Sequence, residues 1–268
     1  MPIDFNWNPD VLPGTGVIVG CTQNQEWLLP WWWMHYHLFN HLPVTFIDFG
    51  DMSAQAVKWC KKRGSLIHLD IPTDFIAGKD TVDPKLGDIW QAIHPEVWQM
   101  RLAWFKKPFA LLQSPYQRTL WMDLDCQTRA SVQPILDLCS SSSGIAMVEE
   151  PEAIINLDLR RGLLLPGEKE YNSGVMVFDH GIPVIQTLAR KAVEENRLFI
   201  GDQQMLGRIL FTENYPVTAM PSTYNCRVDF GINPNALVLH WLGRFKNKVR
   251  EAILFLNDHM YINLSLDS

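Results

Sequence analysis

The sequence predicts an α/β fold with one mostly parallel central sheet flanked by helices, and three observations support this prediction. The first half of the 268-residue chain alternates short apolar runs with longer helix-like stretches, which is the pattern of βαβ units. The composition, with 47% hydrophobic and 19% charged residues, is that of an ordinary globular protein. No internal repeat or low-complexity tract interrupts it, so we expect a single domain over residues 1–268.

The first five predicted elements follow the order β-α-β-α-β. Strands are predicted at 16–20, 44–49 and 65–69, because each is a short apolar run bounded by turn residues. A helix is predicted at 30–40, where Pro30 is tolerated in the first turn because no backbone donor is needed there. A second helix at 52–63 is closed by Gly64, a residue that accepts the left-handed conformation at a helix C-terminus.

The remaining elements are less regular. Residues 71–94 are rich in Pro, Gly and Asp, which predicts an irregular connection containing at most a short helix. A helix is expected at 97–113 despite Pro108, followed by a turn at 114–116 and a strand at 119–123. Apolar patterning predicts further strands and helices, namely strands at 144–148, 174–178 and 237–240 and helices at 183–196 and 202–210.

Charge and cysteine content disfavour several classes of protein. A net charge of -6 gives no broad positive field for nucleic acid or another polyanion. Five cysteines without a C-x-x-C pair cannot form a closed disulfide framework within one chain, which indicates a reducing compartment. No secretory signal and no transmembrane segment is visible. We therefore expect a cytoplasmic protein.

An aromatic run at Trp31, Trp32 and Trp33 lies on the first predicted helix. A helix this apolar packs in the core by default. The alternative is an acceptor or partner surface, or peripheral attachment to a membrane, because tryptophan is enriched at binding patches and lipid interfaces.

The sequence Asp123-Leu124-Asp125 stands where an apolar strand ends. Open α/β sheets bind ligands at the carboxyl edge of their strands. Two carboxylates that face one small volume require a cation between them, and their hard oxygen atoms suit Mg²⁺ or Mn²⁺. A turn with solvated aspartates is the commoner interpretation of a bare Asp-x-Asp, so this motif alone decides little.

Three later segments each have a structural interpretation when they are taken singly. Asn172-Ser173-Gly174 is typical of a polar turn before a strand. Asp202-Gln203 is typical of a helix start with Asp202 as its N-cap. The segment at 240–246, from His240 to Lys246, follows an apolar strand and offers His, Gly and Lys, which are all useful to a phosphate.

In this order, the four segments resemble the retaining nucleotide-sugar transferases of glycosyltransferase family 8, the glycogenin and bacterial galactosyltransferase type with a GT-A fold. The resemblance runs from about Val17 to Lys248 in motif order. The stretch at 107–110, Lys-Pro-Phe-Ala, also looks like that of related α-mannosyltransferases. The chain departs from the family at Gln23, near the place of an acidic residue, and at 246–248, where Lys-Asn-Lys replaces Lys-Pro-Trp.

The resemblance implies a metal and a diphosphate site. Asp123, Asp125 and His240 would ligate a divalent metal, Mn²⁺ or Mg²⁺, and Asp123 would also contact the ribose. Gly243 would let a backbone amide approach the diphosphate, and Lys246 would place a positive charge on it as the nucleotide leaves.

The resemblance also implies residues for the base and the sugar. The base and ribose would be bound after the first strand, by Thr22, Gln23 and Asn24. The transferred sugar would contact Lys107, Asn172, Ser173, Asp202 and Gln203, with Asp202 and Gln203 as the expected catalytic residues. The expected partners are a UDP sugar, with a GDP sugar as the alternative, and an acceptor whose class the sequence leaves open.

Several mechanisms and functions stay open at this point. By resemblance we expect retention, with Gln203 beneath the sugar and the donor phosphate taking the acceptor proton. An inverting enzyme would need a carboxylate base, for which Glu149, Glu150 and Glu152 are candidates. The alternatives to a transferase are an Asp-x-Asp phosphohydrolase, whose usual Thr position is occupied here by Gln127, and a non-catalytic protein that binds sugar nucleotides.

Overall fold

The computed structural model describes residues 3–259 and 263–267. Its strands are β1 (Leu12–Cys21), β2 (Val44–Asp48), β3 (Ser65–His68), β4 (Tyr116–Met122), β5 (Cys126–Thr128), β6 (Ile145–Glu149), β7 (Tyr171–Asp179), β8 (Thr218–Met220), β9 (Cys226–Arg227) and β10 (Val238–His240). Its helices are α1 (Leu29–Phe39), α2 (Ala54–Lys61), α3 (Pro84–Ile93), α4 (Val97–Trp104), α5 (Lys107–Leu112), α6 (Gln133–Leu138), α7 (Glu152–Arg160), α8 (Pro183–Glu194), α9 (Asp202–Thr212) and α10 (Lys246–His259).

Seven strands form the central sheet in the order β3-β2-β1-β4-β7-β6-β8. Neighbouring strands pair in parallel except β7, which is antiparallel to both β4 and β6. The predicted α/β fold with a mostly parallel sheet is therefore confirmed. A second, three-stranded sheet in the order β5-β10-β9 lies beyond the end of β4. The carboxyl ends of β1, β4 and β6 and the start of β7 consequently meet at one edge of the central sheet.

Two apolar clusters cover the two faces of the central sheet. Side chains of β1 alternate between them: Val17 and Val19 pack with α1 and α2, whereas Ile18 packs with α5, α8 and α9. Burial of both faces explains why the strands are continuous apolar runs. On α1, Trp31 and Trp32 are buried in the first cluster, so the expected core role of this aromatic run is confirmed for these two rings.

Three predicted elements differ from the structure. The helix expected at 97–113 is two helices, α4 and α5, because Pro108 has no N–H to continue the hydrogen-bond pattern from Trp104. The irregular connection at 71–94 contains a ten-residue helix, α3, whose N-cap Asp83 accepts from the amides of Lys85 and Leu86. The polar turn expected at Asn172-Ser173 belongs to β7, where a register irregularity opposite β6 accommodates the extra residues.

The five cysteines are buried and unpaired. Within residues 3–259 and 263–267, no helix has the length and apolar character needed to cross a membrane.

Candidate active site

The candidate site lies at the edge of the sheet where β1, β4 and β6 end and β7 begins. Asp123 directly follows β4, and its backbone N–H donates to the carbonyl of Gly174 on β7 at 2.8 Å. Glu150 follows β6, and its N–H donates to the carbonyl of Glu170, just before β7, at 2.8 Å. Thr22, which follows β1, starts the segment expected to bind the base. The topology therefore brings together segments that lie far apart in the sequence.

Lys107, the first residue of α5, is buried among acidic and polar groups. Its Nζ donates to the Ser173 carbonyl at 2.7 Å, to Ser173 Oγ at 3.1 Å and to Asp123 Oδ1 at 3.2 Å. Asp202 Oδ2 lies 3.6 Å from the same Nζ. Burial opposes the charge of Lys107, but Asp123 and Asp202 raise its pKa above the ordinary value. Lys107 is therefore a buried cation that fixes two carboxylates.

The expected N-cap role of Asp202 is wrong. Gly201 is the N-cap of α9, and Asp202 is the first helical residue. The Asp202 carboxylate accepts from Ser173 Oγ at 3.0 Å instead of capping the helix, because it is drawn toward Lys107. Burial raises the pKa of Asp202, and the charge of Lys107 opposes this rise.

Three hydrogen bonds fix the orientation of the Gln203 side-chain amide. Its Oε1 accepts from the backbone N–H of Ser173 at 3.1 Å. Its Nε2 donates to Glu150 Oε1 at 3.0 Å and to Glu170 Oε1 at 3.2 Å. The flipped amide would place oxygen against two carboxylates and nitrogen against an N–H, so only this orientation satisfies all three contacts.

A second set of amides fixes the tautomer of His240. The N–H of Gly174 donates to Asn172 Oδ1 at 2.9 Å, so that atom must be an acceptor. Asn225 Nδ2 donates to the same oxygen at 2.8 Å, and Asn225 Oδ1 therefore faces His240 Nδ1 at 3.0 Å as the acceptor. The proton on Nδ1 leaves Nε2 of neutral His240 as a lone pair.

That lone pair faces a carboxylate. His240 Nε2 lies 3.3 Å from Asp125 Oδ1, and both side chains are buried. Two acceptors this close require a proton or a metal ion between them. The two atoms are close enough that one divalent metal ion would be held by both. The Nδ1 contact to Asn225 is the kind of outer contact that orients metal-binding histidines.

Among residues 3–259 and 263–267, one group could hold a metal ion, namely Asp125, Cys126 and His240, whose ligand atoms lie within 4.8 Å of one another. Cys126 pairs with His240 across β5 and β10, which places the thiol beside the imidazole. Burial raises the pKa of Cys126 well above its ordinary value. A carboxylate and a neutral imidazole are both ligands for Mn²⁺.

Lys246, the first residue of α10, places its Nζ 3.0 Å from Asp125 Oδ2. Burial opposes ionisation of Asp125, but the charge of Lys246, 3.0 Å away, lowers its pKa below the ordinary value. Asp125 is therefore ionised throughout the physiological range, as a metal ligand must be.

Asp123 lies outside this group of three. Its Oδ1 accepts from Trp121 Nε1 at 2.7 Å and from Lys107 Nζ at 3.2 Å. The structure thus gives the two aspartates of Asp-x-Asp different partners, and the role of Asp123 as a metal ligand stays a prediction.

Two glycines are required where they stand. A Cβ on Gly174 would lie 2.3 Å from Cε1 of His240, so only glycine lets β7 pass beside the imidazole. Gly243 has a φ of 56°, which disfavours other residues, and no protein atom lies within 4 Å of the position of its missing Cβ. The second glycine therefore has open space in front of it, which a diphosphate could occupy.

The sequence did not indicate four residues that position the site: Cys126, Glu170, Asn225 and Arg227. Arg227 donates to Glu150 Oε2 at 2.6 Å, and Glu150 also accepts from Asn172 at 2.7 Å. These residues act through contacts with distant segments, and the sequence carries no local signal for them except that Cys126 adjoins Asp125.

Comparisons with known proteins show similarity only at the level of structure. No family model and no curated protein matches the chain. The chain is similar to the galactosyltransferase LgtC, solved in complex with donor and acceptor sugar analogs, with a TM-score of 0.56 and 13% identity over 87% of this chain and 88% of that one. It is similar to mouse xyloside xylosyltransferase 1, with a TM-score of 0.52 and 14% identity over 87% and 98% of the two chains.

The chain also matches the bifunctional glycosyltransferase WbbM, with a TM-score of 0.56 and 12% identity over 89% of this chain and 47% of that one, so it spans about half the length of WbbM. These similarities decide the fold. The chain has the GT-A glycosyltransferase fold. Within this GT-A fold, the candidate site lies where the parallel strands end, which is where open α/β sheets bind their ligands.

Proposed function

We propose that this protein is a metal-dependent hexosyltransferase that moves a hexose from a nucleotide diphosphate sugar, with a UDP sugar favoured, to an acceptor hydroxyl with retention of configuration. The observation that carries the proposal is the buried pair of Asp125 and His240, whose facing atoms take either a proton or a divalent metal ion between them, next to the Cys126 thiol. The proposal is further supported by the GT-A fold, which is that of known nucleotide-sugar transferases, and by the resemblance to family 8.

In this proposal Asp125 and His240 hold the divalent metal, with Cys126 beside them and Asp123 as the further predicted ligand. The metal, when bound, supplies a Lewis acid for the diphosphate oxygens. Lys246 adds a positive charge at the same place, and Gly243 leaves room for the diphosphate to approach the backbone.

The sugar lies between Lys107, Ser173 and Asp202 on one side and Gln203 beneath it. The bond between the anomeric carbon and the phosphate oxygen breaks, and the acceptor oxygen forms the new bond on the same face of the sugar. The acceptor proton passes to the oxygen of the leaving diphosphate, so no protein base is needed. The fixed Gln203 carbonyl, which accepts from the Ser173 N–H, keeps a second lone pair that would stabilise the positive charge developing on the sugar.

The contacts of Glu150 count against one of the three candidate bases for an inverting mechanism. An inverting mechanism needs a carboxylate with an oxygen available to accept a proton from the acceptor. Glu150 is buried, and its oxygens accept from Asn172, Gln203 and Arg227. It therefore orients Gln203 and Asn172 rather than serving as a base.

The separate partners of the two aspartates count against the phosphohydrolase alternative. That chemistry needs a nucleophilic carboxylate and an acid that face one phosphorus atom. Here the described contacts of Asp123 are with Lys107 and Trp121, and those of Asp125 are with His240 and Lys246.

Calorimetric titration of UDP and GDP, each with and without Mn²⁺, tests the proposal. We expect metal-dependent binding of one nucleotide by the wild type and its loss in Asp125→Asn, which keeps the shape but not the charge. Asp137→Asn is the matched control. It removes the same charge from an exposed position on α6 that makes none of the site contacts described above. If neither nucleotide binds the wild type with any divalent metal, the donor assignment fails.

A further inference from the structure

A cavity of about 400 Å³ lies beside the candidate site. The proposed position of the donor does not fill it. We call it the Phe230 cavity, and the lining residues that matter here are Glu149, Asn172, Ser222, Arg227, Phe230 and Asn233. Its size falls within the range of small-ligand sites.

The Phe230 cavity adjoins the donor-sugar residues without including their charged members. Its lining contains Glu150, Asn172 and Asn225, which position Gln203 and His240. Lys107 and Asp202, which surround the proposed place of the donor sugar, are not among its lining residues. A molecule in this cavity would therefore lie next to the proposed place of the donor sugar, as an acceptor must.

The chemistry of the cavity wall fits a neutral, hydroxyl-rich molecule. The ring of Phe230 is 51% exposed, and the guanidinium of Arg227 lies 5.3 Å from the centre of that ring. Ser222 and Asn233 add a hydroxyl and an amide, and Glu149 adds a carboxylate that pairs with Lys169. A half-exposed ring beside hydroxyl-bonding groups suits the two sides of a sugar, since its C–H face is apolar and its hydroxyls are polar.

Charge in the cavity disfavours a phosphorylated acceptor. Arg227 is the one basic side chain among the described lining residues, and its charge is already balanced by Glu150 and Asp229 at 2.6 and 2.7 Å. The carboxylates of Glu150 and Glu149 are paired in turn with Arg227 and Lys169, so the described lining offers no unpaired cation to hold the phosphate of a prenyl phosphate.

We infer that the acceptor is a carbohydrate, and that its terminal pyranose ring lies in the Phe230 cavity with one face against the Phe230 ring. This inference rests on the proposed function. One acceptor hydroxyl then reaches the donor sugar near Gln203, its oxygen bonds to the anomeric carbon, and its proton leaves on the nucleotide diphosphate. Phe230 is a binding residue for the acceptor and takes no part in breaking the donor bond.

Transfer to a small acceptor panel tests the inference. The panel contains methyl α-glucopyranoside, methyl β-galactopyranoside, maltose and lactose, together with a Ser/Thr peptide and a short prenyl phosphate, and products are detected by mass spectrometry. We expect transfer to at least one glycoside. In Phe230→Ala the KM for that glycoside rises about ten-fold, since the half-exposed ring loses its apolar contact, while the nucleotide Kd stays unchanged.

Two variants control this experiment. Phe230→Trp keeps a flat ring and preserves the acceptor KM. Phe255→Ala removes a ring of similar exposure, 56%, from α10, where it stacks on His259 and lies outside the cavity lining. We expect this variant to keep the wild-type KM, which shows that the effect belongs to the cavity.

The inference is overturned if Phe230→Ala leaves the glycoside KM unchanged, or if only the peptide or the prenyl phosphate is glycosylated. It is equally overturned if the wild type hydrolyses the donor but transfers to no glycoside. Failure of the proposed function gives a different result, namely no nucleotide binding and no donor hydrolysis. In that case saturation-transfer NMR of the same glycosides with wild type and Phe230→Ala still tests whether the cavity binds sugars.

Discussion

Glu170 is predicted to make the stability of the protein depend on pH near neutrality. Its side chain is buried, and Oε1 accepts from Gln203 Nε2, whereas Oε2 has no hydrogen-bond partner among the described residues. Burial, together with the nearby charge of Glu150, raises the pKa of Glu170 from 4.5 to about 7, against the smaller lowering effect of the Gln203 contact.

The sign follows from proton binding. Between about pH 4.5 and pH 7 the folded protein keeps a proton on Glu170 that the unfolded chain has released. The free energy of unfolding therefore falls as the pH rises through this window. A shift of this size corresponds to about 3 kcal/mol, since one unit of pKa is worth about 1.4 kcal/mol. Glu170→Gln stays neutral at every pH and removes this dependence.

Urea denaturation of wild type and Glu170→Gln from pH 4.5 to pH 8 measures the effect. The free energy of unfolding of the variant, relative to that of the wild type, should rise by about 3 kcal/mol across this range and then level off. Glu213→Gln makes the same change of charge at an exposed position on the surface and serves as the control. A constant difference between Glu170→Gln and wild type at all pH values would show that the reasoning about burial is wrong.

Two further predictions concern the backbone around the site. Gly174→Ala places a Cβ 2.3 Å from His240, so we expect a loss of about 1 to 3 kcal/mol in the free energy of unfolding. We also expect weaker metal-dependent nucleotide binding, and an unchanged nucleotide affinity in calorimetry would contradict this expectation. Arg101→Met removes the donors to the carbonyls of Phe199 and Ile200, which precede the helix of Gln203, while the Asn196 carbonyl keeps the Phe199 N–H. We therefore expect a loss of about 2 to 5 kcal/mol in urea denaturation. A loss below about 1 kcal/mol would mean that water replaces the guanidinium.

The sequence predicts the central sheet well because its strands are short apolar runs whose pattern is local. The run at 16–20 is buried on both faces of the sheet, and no other element type accommodates it as well. The break at Pro108 could be foreseen from the missing N–H, and the helix at Pro84–Ile93 from the Asp-Pro pair that starts it. Both features are therefore encoded locally, by Pro108 and by the Asp83-Pro84 pair.

The contacts that position the site could not be predicted, because they join residues that lie far apart in the sequence. Glu150 and Gln203 are 53 positions apart, and so are Asn172 and Asn225. Their contacts depend on which strands are neighbours, and β7, which follows β6 in the chain, is inserted between β4 and β6 and runs antiparallel to both. The motif order predicted which residues form one site, but the direction of each carboxylate of Asp-x-Asp depends on packing.

Asn172 connects the two halves of the candidate site. Its Oδ1 accepts from Asn225, which orients His240 toward Asp125, and its Nδ2 donates to Glu150, which orients Gln203. The backbone N–H of Gly174 fixes the direction of this amide, so one strand sets both the imidazole tautomer and the Gln203 carbonyl. The oxygen of this amide is used by two donors, whereas its nitrogen keeps a second N–H that can contact a sugar. Asn172 therefore adds preorganisation to its predicted part in donor-sugar binding: it holds the candidate metal-binding and sugar-facing groups in fixed relation before substrate arrives.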